Sequence, residues 1–264
     1  IFFAVIGFIF LYSIIDNPYG KNDILLSFIF SIARLISCFI FGFFVIYFLI
    51  IFNFVSKEKI SISYLSPITN FLKRYGKFAF FILLLISLYR IADVVMGVMA
   101  NIFYLEKGYK ISEIATFSKF FGVFATIVGG FIGGYCSYKF GTMKALFFGA
   151  LIAALSNLLF AWLAISPTSI NFLVAVITAD NISSGFAGAA FVIYLSGLTS
   201  IKFTATQYAL FSSIMLFLPK LIAGYAGSWV DIMGYAYFFS FTAFLGIPVL
   251  ILIIWIGKVA PIKN

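Results

Sequence analysis

Six ionisable residues interrupt stretches that are otherwise apolar: Arg34, Arg90, Asp93, Lys119, Asp180 and Lys220. Arg90 and Asp93 stand three apart, the spacing that puts two side chains on one face of a helix. Asp180 is followed by Asn181 in the middle of another apolar run, and Lys119 and Lys220 lie in two more. Such residues support two kinds of chemistry. The cations can hold an anion, and a carboxylic acid shielded from water can carry a proton near neutral pH. Four cations against two acids favour an anionic ligand. The competing, purely structural reading makes Arg90–Asp93 and Lys119–Asp180 ion pairs that only hold helices together. Tyr89, Asn101, Asn157, Ser183 and Gln207 add hydrogen-bonding capacity in the same stretches.

Other chemistries are excluded by what the chain lacks. It has no histidine, which removes His-based metal sites, a Ser-His-Asp triad and any His proton relay. Its two cysteines, Cys38 and Cys136, sit in apolar segments and read as packing residues. No metal, cofactor or catalytic residue is expected. Two carboxylates on different segments make a poor acid–base pair, so an intramembrane enzyme is the weakest reading.

These residues need elements that can hold charge away from water, and the composition says which. Of 264 residues, 64% are hydrophobic, 21% aromatic and 9% charged, and the mean hydropathy is +1.18. A water-soluble domain carries about 25% charged residues, so a soluble enzyme or nucleic-acid module is excluded. The formal charge of +9 therefore reads as membrane orientation rather than nucleic-acid binding. Polar breaks leave eight apolar segments, at about 1–15, 25–54, 77–103, 112–135, 143–165, 169–197, 206–228 and 235–257. Seven reach the roughly 20 residues a helix needs to cross a bilayer. They are too continuous for barrel strands, so the expected fold is an all-α, polytopic membrane bundle.

Loop charges orient it. Lys57, Lys59, Lys73, Arg74, Lys77, Lys139, Lys144, Lys202, Lys258 and Lys263 fall on one side, against Lys21, Lys107 and Lys110 on the other. The richer side, with the C-terminus, is expected to be cytoplasmic. The hydrophilic connection at 55–76 separates two helices from six. This divides the chain into 1–54, a cytoplasmic linker at 55–76, a six-helix bundle at 77–258 and a cytoplasmic tail at 259–264. Eight-residue stretches from Gly134 to Gly141 and from Gly227 to Gly234 read as equivalent turns on opposite faces, as in an inverted repeat. Gly129, Gly130, Gly133 and Gly134 permit close helix approach, Gly185 and Gly188 lie beside Asp180, and Pro219 should kink its helix before Lys220.

From Pro67 onward the chain resembles the AmpG family of muropeptide permeases, within the major facilitator superfamily. The resemblance is carried by Pro67–Gly76 (PITNFLKRYG), Leu88–Asp93 (LYRIAD), Ala125–Gly130 (ATIVGG), Ala154–Leu158 (ALSNL), Asp180-Asn181, Gly188–Val192 (GAAFV) and Phe203–Leu210 (FTATQYAL). It implies a twelve-helix core and proton-coupled import of anhydro-muropeptides across the bacterial inner membrane, for cell-wall recycling. The implied partners are an anionic sugar-peptide, protons and the lipid bilayer. Asp93, Lys119, Asp180, Asn181 and Gln207 match polar positions of the family, Arg90 stands where Lys is also usual, and Lys220 where Arg is. With Tyr89 these form the expected substrate-binding and proton-coupling set. Tyr138 departs from the superfamily, whose cytoplasmic gate motif has an acid there. The first segment is short and opens on Ile1, so the chain is expected to start within the fifth helix, with four helices preceding it that would complete the cavity. The alternatives are a non-transporting product of a split or decayed gene, or an importer of another anionic solute.

The orientation is checked by labelling. In a background with Cys38 and Cys136 replaced by Ser, Lys73→Cys is expected to react with an impermeant maleimide only after the membrane is opened. Lys107→Cys should react in intact spheroplasts.

Overall fold

The computed structural model describes residues 2–19, 23–52, 54 and 56–259, and every regular element among them is helical. Seven of the helical stretches are long and apolar enough to span a membrane, and Phe2–Ile14 is a shorter apolar helix. The chain divides into two compact units, Ile1–Thr69 and Asn70–Asn264, a division that falls inside the expected linker.

In the first unit, α1 (Phe2–Ile14) packs against α2 (Ile24–Ile51). Asp23 starts α2 as an N-cap, its carboxylate accepting the Leu26 N–H at 3.0 Å. Arg34 is partnered by α1. Its guanidinium donates to the Tyr12 carbonyl and lies 3.7 Å from the centre of the Tyr12 ring. The helical connection continues through α3 (Lys57–Ile60) and a π-helical turn at Ser61–Leu65 into α4 (Ser66–Tyr75).

The second unit contains the bundle. After α4 come α5 (Ala79–Leu88) and α6 (Ile91–Glu106), broken from each other at Tyr89–Arg90. Gly108 ends α6 at φ +96°, where the Gly108 N–H reaches the Leu105 carbonyl and the Tyr109 N–H the Tyr104 carbonyl. That pairing satisfies the last carbonyls of the helix. Then α7 (Ile111–Ile114), a π-helical stretch at Ala115–Phe121 and α8 (Gly122–Phe140) form one span. It is followed by α9 (Thr142–Ile165), α10 (Ile170–Leu198), α11 (Thr204–Ala223), α12 (Ala226–Phe244) and α13 (Gly246–Val259). Gly234, at φ +76°, splits α12 where the seventh and eighth apolar segments meet.

The two glycine-bounded stretches read as turns prove helical up to their second glycine, so Gly141 (φ +92°) and Gly234 alone make the breaks. Pro219 is buried inside α11, which continues past it to Ala223. Tyr235 donates to Glu106 at 2.9 Å and Lys107 to the Ala164 carbonyl at 2.7 Å, tying the ends of α6 and α9 to α12 just past its break at Gly234.

The element that positions everything else is α10, which packs against both α8 and α9. Its approach to α8 is set by glycine. A Cβ at Gly129 would lie 2.1 Å from the Ile182 carbonyl oxygen, one at Gly133 2.5 Å from that of Phe186, and one at Gly185 2.1 Å from that of Thr126. No side chain fits there, so the small-residue pattern is a backbone-on-backbone contact. Gly185→Ala is expected to cost about 2 kcal/mol or more by overpacking, lowering Tm by roughly 4–8 °C. Gly134→Ala, where a Cβ meets nothing within 4 Å, should leave Tm unchanged or raise it. Thermal unfolding of the detergent-purified protein measures both.

Candidate functional site

The helix break at Tyr89–Arg90 contains neither glycine nor proline, and side chains hold it. Arg90 is the N-cap of α6, at φ −96° and ψ 10°, and Asp93 lies in the first turn that follows. A carboxylate is favoured there by the helix dipole. The Arg90 guanidinium pairs with the Asp93 carboxylate, and the same nitrogen, Nη2, donates to Ser184 Oγ on α10 at 3.2 Å. Gly188, one turn further along α10, faces the guanidinium: a Cβ there would be 3.8 Å from Arg90 Nη1, an ordinary contact. The pair is 25% and 19% exposed, so it opens to one side of the bundle rather than lying sealed in the core.

Asp180 shares that stripe of α10. Residues 180, 184 and 188 repeat every four positions, so Asp180 lies about 6 Å along the axis from Ser184. Its carboxylate accepts from Ser156 Oγ of α9 at 3.3 Å, and Ser183 Oγ lies 3.2 Å from Ser156 Oγ. The charges acting on it are those of Arg90 and Asp93. Arg90–Asp93 is the only ion pair among the described residues, so the Lys119–Asp180 pair of the structural reading does not form. The result is a three-group cluster in which Asp93 has its own cation and the Asp180 carboxylate has the Ser156 hydroxyl, with Ser183 behind it.

The remaining expected site residues fall elsewhere. Tyr89 is buried, its ring stacked on Phe191 at 4.4 Å and its hydroxyl donating to the Leu146 or Ala187 carbonyl at 3.2 and 3.4 Å. Asn181 binds across the glycine contact, accepting from Thr126 Oγ1 at 3.0 Å while its Nδ2 donates to Ile177 O at 2.8 Å. Gln207 is fully buried at the entrance of α11, accepting the Ser200 N–H at 2.7 Å and donating to Asn70 at 3.4 Å. Beside it Arg74 donates to the Leu198 and Thr199 carbonyls, where a cation suits the end of α10. Lys119 lies exposed in the π-helical stretch before α8. Lys220 is exposed beside a depression of about 360 Å³ that Ser213 and Phe217 also line.

Sequence reasoning missed Ser184, Thr126 and the pairing of Ser156 with Asp180. The signal available was weak: Ser183 and Ser184 follow Asp180 at helical spacing, but a hydroxyl in an apolar helix more often bonds its own backbone. Asn157, also buried, donates to the Ala92 carbonyl and to Thr242 Oγ1, both at 3.2 Å, and so locks α9 to α6 and α12.

Known proteins similar to this chain are named as transporters of the AmpG type. The chain is 32% identical over 262 residues to the AmpG 4 transporter of Rickettsia felis, covering 96% of this chain and 60% of that protein. It is 36% identical over 207 residues to AmpG 4 of Rickettsia conorii, covering 76% of this chain and 50% of the relative. It is also 37% identical over 189 residues to AmpG 1 of Rickettsia bellii, covering 71% and 46%. The chain thus spans roughly half of these relatives' length. No family model matches it. The AmpG-type resemblance read from the sequence is thereby shown, and it extends over nearly the whole chain.

The Arg90–Asp93 pair has a measurable signature. Removing one partner leaves the other charge uncompensated, whereas removing both does not. Arg90→Gln and Asp93→Asn are each expected to lower Tm by roughly 5–10 °C. The double variant should recover at least half of that loss.

Proposed function

We propose that the chain supplies one bundle of a proton-coupled secondary transporter, and that this transporter imports anhydro-muropeptides across the bacterial inner membrane. The membrane-spanning architecture and the AmpG relatives support a transporter. The proton and the substrate class are argued from the cluster on α6, α9 and α10, together with the family resemblance.

One observation carries the assignment of roles: among the described residues Asp93 is paired with Arg90, and Asp180 has no cation within ion-pair distance. A carboxylate held between apolar helices without a counter-charge is costly, and a bound proton removes that cost. Asp180 is therefore the group that takes up the coupled proton. Asp93 keeps its charge and fixes Arg90 against Ser184. Arg90 supplies the positive charge within the cluster that meets the carboxylates of a sugar-peptide, and the exposed Lys119 and Lys220 add to the longer-range field that draws it toward the bundle. In a two-bundle transporter the second wall of the cavity comes from other helices, and alternating access follows from rocking of the two bundles about the midplane site.

The test is uptake of a labelled anhydro-muropeptide by cells lacking their own permease, with and without an uncoupler. The cells express this chain together with the coding region upstream of it. Uncoupler-sensitive accumulation is expected, and Asp180→Asn should abolish it at an unchanged membrane level. Full accumulation in Asp180→Asn with the proton gradient intact would overturn the role of Asp180. Uptake of other anions in place of the muropeptide would overturn the substrate.

A further inference from the structure

The interface between α9 and α10 holds two hydroxyls with more acceptors than protons. Ser156 Oγ lies 2.8 Å from the Ala153 carbonyl and 3.3 Å from Asp180 Oδ1. Ser183 Oγ lies 2.8 Å from the Asp180 carbonyl and 3.2 Å from Ser156 Oγ. Both serines are buried, at 4% and 3% exposure, so water does not supply the missing donors. Each hydroxyl has one hydrogen and can serve one of its two acceptors at a time.

We infer that Ser156 and Ser183 are positioning residues that turn together as Asp180 gains or loses its proton. The inference rests on the reading of Asp180 as the proton-carrying group. With Asp180 ionised, Ser156 donates to the carboxylate in a charge-assisted bond, and Ser183 donates to Ser156. With Asp180 protonated, its own O–H donates to Ser156 Oγ. Ser156 then turns to the Ala153 carbonyl and Ser183 to the Asp180 carbonyl. Both hydroxyls and Asp180 Oδ1 are satisfied in either state, and apart from the carboxyl proton itself only hydroxyl hydrogens move. The coupled proton stays on Asp180 and is exchanged with the open side of the bundle; the serines make either state tolerable in a dry interface.

The neighbours of Asp180 leave the serines this role. Arg90 and Asp93 act on it electrostatically but are committed to each other. Tyr104 of α6 lies within electrostatic range. From α8 comes Thr126, which bonds Asn181 instead. Lys119, Lys139, Lys144 and Lys220, on the elements around α10, form no ion pair with Asp180 among the described residues.

The experiment is an infrared titration of the Asp180 carboxyl band in the 264-residue chain reconstituted in lipid nanodiscs, with the band assigned by its loss in Asp180→Asn. Ser156→Ala takes a charge-assisted donor from the ionised form and an acceptor from the protonated form, and the charge-assisted bond is the stronger loss. It is expected to move the titration midpoint by about one pH unit toward alkaline, a tenfold change in proton affinity. Ser183→Ala should move it the same way by less, and Ser156→Thr, which keeps the hydroxyl, should restore it. An unmoved midpoint in a folded Ser156→Ala, or a Thr variant that behaves like Ala, would overturn the inference. Should Ser156→Ala fail to fold, Ser183→Ala decides by the same criterion. The readout does not need transport: a shifted titration without muropeptide uptake would sink the proposed function alone, and uptake with an unshifted titration would sink the serine pair alone.

Discussion

The backbone contact between α8 and α10 is the constraint on which the rest of the bundle depends. Two helices that touch through Gly129, Gly133 and Gly185 have almost no freedom to slide or rotate, because any change of register drives a side chain into a carbonyl. Thr126 and Asn181 bond across the same contact, which fixes the turn of α10 next to Asp180. With that turn fixed, the stripe of residues 180, 184 and 188 has a set direction. Arg90 can then be seated at Ser184 and Gly188 only from α6. The site is thus placed by residues that carry no charge.

Charge burial sets the second level of order. Of the cations inside apolar segments, Arg34 is held by Tyr12 and Arg90 by Asp93 and Ser184. Lys119 and Lys220 are exposed on the bundle surface. The two acids differ in the same way, one balanced by a guanidinium and one bonded to a hydroxyl. A bundle built only for stability would pair both, since an unbalanced carboxylate in a membrane carries a cost that packing must offset. Retaining one without a cation makes sense where its charge is meant to change.

Much of this was legible in the sequence, for identifiable reasons. Apolar run length marks membrane helices because the bilayer sets a minimum, so all eight segments were readable, as was the Arg90–Asp93 pair from its spacing of three. The partners of Asp180, Asn181, Tyr89 and Gln207 were not, because contacts between helices depend on register, which no single helix encodes. The expected Lys119–Asp180 pair shows why. Lys119 lies in a π-helical stretch, where each turn holds an extra residue and the ordinary count of which face a side chain occupies no longer applies. The break at Tyr89–Arg90 was equally hidden, since Arg90 and its partners make it rather than glycine or proline.

On the proposed reading, the charge arithmetic of the cluster also sets the direction of coupling. Arg90, Asp93 and ionised Asp180 together carry one net negative charge; protonating Asp180 brings the sum to zero. An anionic ligand meets repulsion in the first state and none in the second, so it binds better once the proton is on. By linkage the proton must then bind better once the anion is present. Two ligands that strengthen each other's binding travel together, and a site in which they opposed each other would exchange them across the membrane. The absence of a cation beside Asp180 is what gives the cluster this sign. A lysine in place of Ser156 would bring the sum to zero with Asp180 ionised and to one positive charge with it protonated, so the anion would no longer need the proton to escape repulsion.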